Sequence, residues 1–363
     1  MMKLNSLHTT RLWVVMALLL VMLSGCSRIG VRVPLFGASN ALLNFYAPFV
    51  NSQDDELVNL LNDANLAHLQ GEYALSNGFF EQAKVLIAKR NKPSVTDQSA
   101  SLIVNDTVKD YVADDYERML LHVYSALNYI ALDDLDGARV EMRQLDLLLQ
   151  ADDIDASVEP FSLYFSGMVY ELLAEQDAAL VSYRMALEGY GDENVPELLI
   201  RDYLRLLSIQ GLTSELDSAV ERFPDTDIDY LQPDEGELLV LIPQGIVAQK
   251  RARSISVLAG DLDRFVRISV PALRSQKTEP RLIAQVNGRD YPLDVVDFVD
   301  QRAQAALDDA LPGITARSIA RAVVKYQASD AVESKSGQTA GLISSFLFNL
   351  FEQADTRSWN TLA

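Results

Sequence analysis

Apolar residues recur three and four positions apart over residues 42–223, the spacing that places side chains on one face of an α-helix. Within this stretch one set of offsets repeats. Small and larger apolar residues stand at offsets of 0, 3, 12, 16 and 19 in Gly167, Tyr170, Ala179, Tyr183 and Ala186, and again in Ala126, Tyr129, Ala138, Met142 and Leu145. A weaker copy runs through Gly71, Ala74, Ala83 and Ile87 with Gly78 as its turn, and a fourth helical stretch covers 197–223 with a turn at Gly211.

These offsets predict pairs of antiparallel helices. Small residues at the first and third positions let the two helices of a pair approach closely, while the larger residues fill the space to the next pair. The spacing is that of tetratricopeptide-like repeats. We therefore predict a helical repeat array over residues 41–232, a fold that presents a curved surface to extended partners.

After residue 236 the pattern changes to short apolar runs, which predict a smaller mixed domain of strands and helices over residues 236–363 and hence an α+β chain. Strands are expected at 238–242, 255–258 and 265–270, closed by Pro243, Gly260 and Pro271.

The mixed domain also contains the clearest turn signal of the chain. Asn287-Gly288 between two apolar runs predicts a hairpin with a type I′ turn, with arms at 282–286 and 289–296, and Pro292 confines the second arm to an edge. Two helices should follow, at 297–311 and 315–331, separated by Pro312-Gly313.

The N-terminus carries the features of a secretory signal peptide. Lys3 and Arg11 accompany the apolar run 12–23, which is too short to cross a bilayer as a helix. Leu23-Ser24-Gly25-Cys26 resembles a lipobox, the site at which bacterial lipoproteins receive diacylglycerol on the cysteine thiol. We expect a signal peptide over residues 1–25, lipidation of Cys26 and a linker over 26–40; an unmodified buried cysteine after an ordinary signal peptide is the alternative.

Two or three acyl chains on Cys26 would anchor the protein to a membrane lastingly. In the lipoproteins that this signal resembles, Asp after the cysteine retains the protein at the inner membrane, and this chain has Ser27. We therefore expect a lipid-anchored protein at the periplasmic face of the outer membrane.

Charge is unevenly distributed along the chain. Residues 26–235 hold 14 Lys and Arg against 37 Asp and Glu, a net charge of −23, whereas residues 236–363 hold 15 against 14. So acidic a first half disfavours binding of nucleic acid and adsorption to anionic lipid. Cys26 is the single cysteine, so no disulfide can form once it is lipidated. The fold must then be stabilised by burial of apolar residues.

Two features of the mixed domain are candidate partner-binding sites. Arg317, Arg321 and Lys325 fall at i, i+4 and i+8 of the last predicted helix and form one basic stripe, which is either a solvated face or a docking strip for the acidic array. The apolar cluster 342–351 is too short to span a bilayer and is core, a membrane-interface helix or a contact surface for another protein. Its aromatic members are Phe346, Phe348 and Phe351.

Several short motifs resemble an uncharacterised family of bacterial lipoproteins with tetratricopeptide-like repeats. They are Asn105-Asp106, Tyr116-Glu117-Arg118, Ala126-Leu127-Asn128-Tyr129, Ala138-Arg139-Val140-Glu141, Ala316-Arg317-Ser318-Ile319-Ala320-Arg321-Ala322 with Lys325, and Ala354-Asp355-Thr356-Arg357-Ser358-Trp359. Members of the family look like genomic neighbours of lipoproteins similar to penicillin-binding-protein activators and to the curli secretion channel. The resemblance implies no particular activity. Because its members continue past the last motif, it implies a terminal sheet that is incomplete in this chain.

The chemistry of the residues favours a binding protein. The three histidines are His8 in the signal peptide and His68 and His122 on predicted repeat helices, and the chain contains no metalloprotease, nucleophile-elbow or phosphate-loop motif. We expect no catalytic residue, metal or cofactor, and we interpret the protein as a non-enzymatic adaptor that binds envelope proteins in cell-envelope or surface-structure assembly. The alternative is a glycan-acting hydrolase with paired Asp and Glu, which predicts a cleft carboxyl group of raised pKa between the domains.

Overall fold

The computed structural model describes residues 55–90, 109–152, 154–228, 230, 237–259, 264–274, 282–336 and 353–362. All of them belong to one unit, Ala38–Ala363. Within these ranges the chain is mostly helical from residue 55 to residue 222, and two antiparallel hairpins and a long helix follow. The α+β prediction is therefore confirmed as a helical first part followed by a smaller part that contains strands.

The helical first part, which we call the array, is built from pairs of helices. Its helices are α1 (Glu56–Leu69), α2 (Tyr73–Arg90), α3 (Asp115–Ala131), α4 (Leu135–Asp152), α5 (Pro160–Leu172), α6 (Gln176–Tyr190), α7 (Glu197–Ile209) and α8 (Thr213–Arg222), with a 3-10 turn at Ala156–Val158. α1 packs on α2, α3 on α4, α5 on α6 and α7 on α8. The pairs thus follow one another in chain order, as the repeated offsets predict.

Three-residue turns join the two helices of every pair. The middle residue of each turn has a positive φ: 79° at Gly71, 61° at Asp133, 58° at Ala174 and 69° at Gly211. Glycine adopts this left-handed conformation without the steric cost that other residues incur. Because the same turn also forms at Asp133 and Ala174, the packing of the helices imposes it there against the local preference.

The predicted small positions lie where paired helices touch. Buried residues of the second and third pairs include Ala126, Ala138, Met142, Leu145, Gly167, Tyr170, Ala179, Tyr183 and Ala186. A Cβ atom on Gly167 would lie 2.2 Å from the ring of Tyr183, so a larger residue would have to displace that ring. The spacing of small residues therefore sets how closely α5 and α6 approach.

The prediction for the first pair was wrong in register. Gly78 lies inside α2 rather than in a turn, and the turn is at Gly71. Ala64, Ser76, Phe80 and Ala83 are the buried residues at offsets 0, 12, 16 and 19, and the Ser76 hydroxyl donates to the carbonyl of Ala64 over 2.7 Å. Glycine in a helix interior is only mildly unfavourable, so two nearby glycines do not reveal which one forms the turn.

The strands form two separate hairpins. β1 (Lys250–Ala259) pairs with β2 (Arg264–Leu273), and β3 (Ile283–Val286) pairs with β4 (Arg289–Pro292). Asn287 and Gly288 have φ values of 50° and 77°, so the predicted turn is confirmed. Two strand predictions were wrong. Residues 238–242 form no strand. Pro271 lies inside β2 rather than at its end, because each strand of a two-stranded sheet has an open edge that tolerates proline.

The last helix of the described ranges, α9 (Val299–Ser336), runs through Pro312. Separate helices at 297–311 and 315–331 were therefore a wrong prediction, because proline removes one helical hydrogen bond but has a helix-compatible φ. α9 packs against β2 and also contacts α3. One hydrophobic core joins the array to the second half, since it includes Val247, Trp359 and Leu362 together with residues from Leu57 to Phe223.

Candidate functional site

A stretch without helix or strand, residues 353–362, lies against the array, and we call it the DTRSW segment after its residues 355–359. Trp359 is fully buried. Its ring packs edge-on against Phe80 of α2 and, tilted, against Tyr124 of α3, with 5.8 Å between ring centroids in both pairs. Such geometries are the favourable ones for aromatic pairs. The array therefore binds the tryptophan of this segment in an aromatic pocket.

Two asparagines of α1 bind the backbone of the same segment. Asn62 Oδ1 accepts hydrogen bonds from the backbone N–H and the hydroxyl of Thr361, both over 3.1 Å. Asn65 Nδ2 donates to the carbonyl oxygen of Thr361. Residues three apart lie on one face of a helix, so the two amides can grip the donor and the acceptor of a single peptide residue. Thr361 lies in a turn that the Leu362 N–H closes by donating to the carbonyl of Trp359 over 3.3 Å, so this contact recognises the backbone of that turn together with the Thr361 hydroxyl.

Glu117 of α3 makes the third backbone contact. Its Oε1 accepts the N–H of Trp359 over 2.9 Å, and its Oε2 accepts the N–H of Asp114 over 3.1 Å and the hydroxyl of Tyr111. Asp114 and Glu117 occupy the N-cap and N3 positions of α3, where a carboxylate satisfies free backbone donors. The start of α3 thus holds a carboxylate toward the segment.

The environment of Glu117 is unusual for a carboxyl group. Its side chain is almost fully buried, and this burial, together with the negative charge of Asp114, raises its pKa to about 7. Lys250, at the start of β1, opposes the shift and places its Nζ 3.0 Å from Asp114 Oδ2. Burial alone would lower the pKa of Lys250, but the charges of Asp114 and Glu117 outweigh it and raise that pKa.

Asp55 and Arg357 form a charged contact at the other end of the segment. The Arg357 guanidinium donates to Asp55 Oδ2 over 3.2 Å and to the carbonyl of Lys109 over 2.7 Å. Asp55 also caps α1 and accepts from Arg90 over 2.8 Å. Burial acts to raise the pKa of Asp55, but hydrogen bonds from Arg90 and from the backbone of Tyr111 outweigh it, so this pKa lies below its usual value.

We call these array residues the segment site. Its members are Asp55, Asn62 and Asn65 at α1, Phe80 on α2, and Glu117 and Tyr124 on α3. On its other side the segment meets the second half of the chain, where the N–H of Val247 donates to the carbonyl of Leu362 over 2.7 Å. The site brings together two motifs noted in the sequence, at residues 116–118 and 354–359, through the hydrogen bond between Glu117 and the N–H of Trp359.

A second buried cluster lies between α5 and the start of α9. Glu159 caps α5 by accepting the N–H of Ser162 over 2.6 Å, and Asp297 pairs with Arg302 over 2.9 Å. Burial, together with the charge of Asp297, raises the pKa of Glu159 to about 8. The pKa of Asp297 is raised by its own burial. Tyr190 closes the cluster by donating to the carbonyl of Val296 over 2.7 Å.

A third cluster contains a histidine. His122 Nδ1 lies 2.9 Å from Glu141 Oε2, and Lys84 donates to both oxygens of Glu141 over 2.7 and 2.8 Å. Burial acts to raise the pKa of Glu141, but the hydrogen bond with His122 and the charge of Lys84 lower it overall. The cluster links α2, α3 and α4, and all of its groups have partners within the array. In the described ranges, no group of three or more histidine or acidic side chains is arranged to hold a metal ion.

The candidate residues named from the sequence are placed as follows. Cys26, Phe346, Phe348 and Phe351 lie outside the described residues, as does the side chain of Lys325. Arg321 on α9 is 2% exposed and donates to the hydroxyl of Ser318 over 3.0 Å, whereas Arg317 is half-buried. Arg321 therefore lies inside the packing of α9 rather than on a solvated face.

Sequence reasoning missed the segment site. Asp55, Asn62, Asn65 and Arg357 had no assigned role, and the motif around Trp359 was noted only for its resemblance. One signal was present: Asp114 three residues before Glu117 is a capping pattern at the start of an apolar helix. The pattern identifies the helix start, but nothing in it reveals that Trp359 binds there.

Comparisons with protein-family models, with curated proteins and with solved structures find no match to this chain. Among the helices that the structure describes, none has the length and apolar character needed to span a bilayer.

Proposed function

We propose that this protein is a lipid-anchored adaptor of the bacterial envelope whose helical array binds extended segments of partner proteins. The observation that carries the proposal is the segment site. There Asn62 and Asn65 grip a peptide backbone, and Phe80 and Tyr124 enclose a tryptophan. An array that holds a segment without helix or strand in this way has the surface chemistry of a peptide-binding scaffold.

The repeat type and the anchor are parts of the same proposal. Four helix pairs with equal three-residue turns and buried small residues support tetratricopeptide-like repeats. Leu23-Ser24-Gly25-Cys26 supports lipidation of Cys26, and Ser27 supports the periplasmic face of the outer membrane. On this proposal the partners are other envelope proteins, and neither nucleic acid nor a cofactor takes part.

The alternative is a glycan-acting hydrolase, and raised pKa values favour it: those of Glu117 and Glu159 rise to about 7 and about 8. Such values are frequent in general acids. Both carboxyl groups are buried, however, with exposures of 1% and 0%, and both accept backbone N–H groups at helix starts. Structural capping accounts for their burial, so we favour the adaptor.

Site-specific photocrosslinking in intact cells tests the adaptor function. A photoreactive residue at Leu147 or Leu172, which are 63% and 58% exposed on the array, should yield a discrete adduct with an envelope protein. The matched control is Ile283 on the β3 hairpin, which is 62% exposed and should yield none.

The hydrolase would be assigned by the opposite result. In that case the array positions give no adduct, and the purified chain releases soluble fragments from isolated peptidoglycan. Loss of that release in Glu159→Gln or Glu117→Gln would identify the carboxyl group responsible.

A further inference from the structure

We propose that the DTRSW segment is a displaceable occupant of the segment site, and that the ligand which replaces it is a segment of a partner protein with arginine two residues before tryptophan. This inference rests on the proposed adaptor function and specifies the ligand of the array. It is carried by the contacts that the segment makes, by their chemistry and by the polar atoms that the docked segment leaves without partners.

The contacts divide into general and specific ones. Glu117 and the two asparagines bind backbone groups of Trp359 and Thr361, the first and third residues of a turn, which any peptide that forms this turn can supply. The aromatic pocket packs on the ring of Trp359, and Asp55 accepts a hydrogen bond from the guanidinium of Arg357. Backbone contacts that give affinity and side-chain pockets that give selectivity are the usual division in peptide recognition.

Charge favours a cationic ligand. The site presents two buried carboxyl groups, Asp55 and Glu117, and residues 26–235, which supply it, carry a net charge of −23. The planar guanidinium of Arg357 donates hydrogen bonds to Asp55, to Asp355 and to a backbone carbonyl at the same time. Arginine suits several acceptors at once better than lysine does. The partner segment should therefore carry arginine at this position.

The docked segment leaves the site incompletely paired. Among the described residues, Trp359 Nε1, Asn62 Nδ2 and Asn65 Oδ1 are buried atoms with no hydrogen-bond partner. Each such group weakens the net gain from docking. The segment also has no helix or strand to hold it in place. A ligand with the same arginine and tryptophan and one more suitably placed polar group would compete with it.

Binding in trans is measured with the full chain and a labelled peptide of residues 354–362. In a Trp359→Ala chain the DTRSW segment loses its main anchor, so fluorescence anisotropy should show the peptide binding at least tenfold more tightly than it binds the wild-type chain. A peptide with both Arg357→Ala and Trp359→Ala should bind at least tenfold more weakly, and so should the intact peptide with an Asn62→Ala, Asn65→Ala, Trp359→Ala chain. Equal binding of both peptides, or no binding to a Trp359→Ala chain with native circular dichroism, would overturn the proposal.

A second measurement keeps the native segment in place, in case Trp359→Ala unfolds the chain. Trp13→Phe leaves Trp359 as the one tryptophan of the full chain. Excess peptide with Trp359→Phe should shift the Trp359 emission toward that of exposed tryptophan, in a saturable manner, because the peptide drives the segment out. Emission that stays unchanged at hundredfold excess contradicts displacement.

Two further outcomes distinguish this inference from segment exchange between two copies of the chain and from the adaptor function itself. A dimer that forms with rising concentration and disappears in Trp359→Ala would assign the exchange to two copies of this chain, and the partner-peptide proposal would fall. If the peptide binds in neither arm while the adducts at Leu147 or Leu172 persist, the adaptor function stands. The segment site is then a fixed part of the fold.

Discussion

Trp359 donates its backbone N–H to the carboxylate of Glu117 over 2.9 Å, although 242 positions separate the two residues in the chain. Glu117 is at the same time a capping residue of α3. One buried carboxyl group therefore both stabilises the start of α3 and binds the DTRSW segment. Because of this double role, a change at Glu117 affects both the capping of α3 and the binding of the DTRSW segment.

Truncation of Trp359 should destabilise the whole chain. Trp359→Ala removes a fully buried ring that packs on Phe80 and Tyr124, and large aromatic truncations in a core cost about 3–5 kcal/mol. Urea unfolding followed by circular dichroism measures the change. Trp359→Phe is the control and should lose clearly less, because it keeps an aromatic ring in the pocket. Equal midpoints for Trp359→Ala and wild type would show that the ring is not packed as described.

The interior of the helix pairs should resist added bulk. Ala138 and Ala179 are fully buried where paired helices meet, so Ala138→Leu or Ala179→Leu should cost about 1–3 kcal/mol through overpacking. Val140→Leu is the matched control, because Val140 lies on the same helix as Ala138 and is 49% exposed. The check is thermal unfolding of all variants. If the buried substitutions melt like the control, the assigned register of the pairs is wrong.

The buried pair of Glu159 and Asp297 should make stability depend on pH. Burial raises the pKa of Glu159 from 4.5 to about 8, so folding favours its protonated form. Its contribution is fully present below pH 4.5 and is lost as the pH rises through about 8. Arg302 opposes this effect, and Asp297 and Tyr190 face the same group.

Glu159→Gln keeps the neutral form at every pH and tests this dependence. Between pH 5 and pH 8, the wild type should lose about 1–3 kcal/mol relative to this variant, as measured by urea unfolding at several pH values. Glu188→Gln on the exposed side of α6 should follow the wild type. Parallel curves for Glu159→Gln and wild type would mean that Glu159 is charged in the folded protein.

Membrane anchorage should depend on a single thiol. Cys26→Ser removes the predicted acceptor of diacylglycerol, so the protein should move from the outer-membrane fraction to the soluble periplasm while its fold persists. Ser27→Asp is a useful comparison, because it should keep the lipid but shift the protein to the inner membrane. Immunoblots of fractionated cells report both. A Cys26→Ser protein that still sediments with the outer membrane refutes the lipid assignment.

Local patterns predicted local structure in this chain. Asn287-Gly288 identified the hairpin because the turn conformation depends on those two residues themselves, and the offsets around Ala138 and Ala179 identified helix pairs because both partners lie within about twenty residues. The prediction at Pro312 was wrong because contacts between elements, not the local sequence, decide the structure there. α9 packs against β2 and continues through a residue that usually ends a helix.

The segment site was beyond such reasoning. Asn62 lies 299 positions from Thr361, and no periodicity links an asparagine on a helix face to a backbone amide that far away. The same holds for Arg321, because the i, i+4 pattern that suggested a basic stripe does not reveal that this side chain is buried. Charge pattern alone does not distinguish a solvated arginine from a buried one.

The central claim is that the array binds the backbone of the DTRSW segment at Thr361 through Asn62 and Asn65, and Trp359 reports on it directly. In the full chain with Trp13→Phe, the emission of Trp359 should be that of a buried indole and resist acrylamide quenching. Removing both amides with Asn62→Ala and Asn65→Ala should shift the emission toward that of exposed tryptophan and increase quenching. Asn59→Ala, on the same helix but without a contact to Thr361, should change neither. Identical emission and quenching in the double variant and the control would contradict the claim.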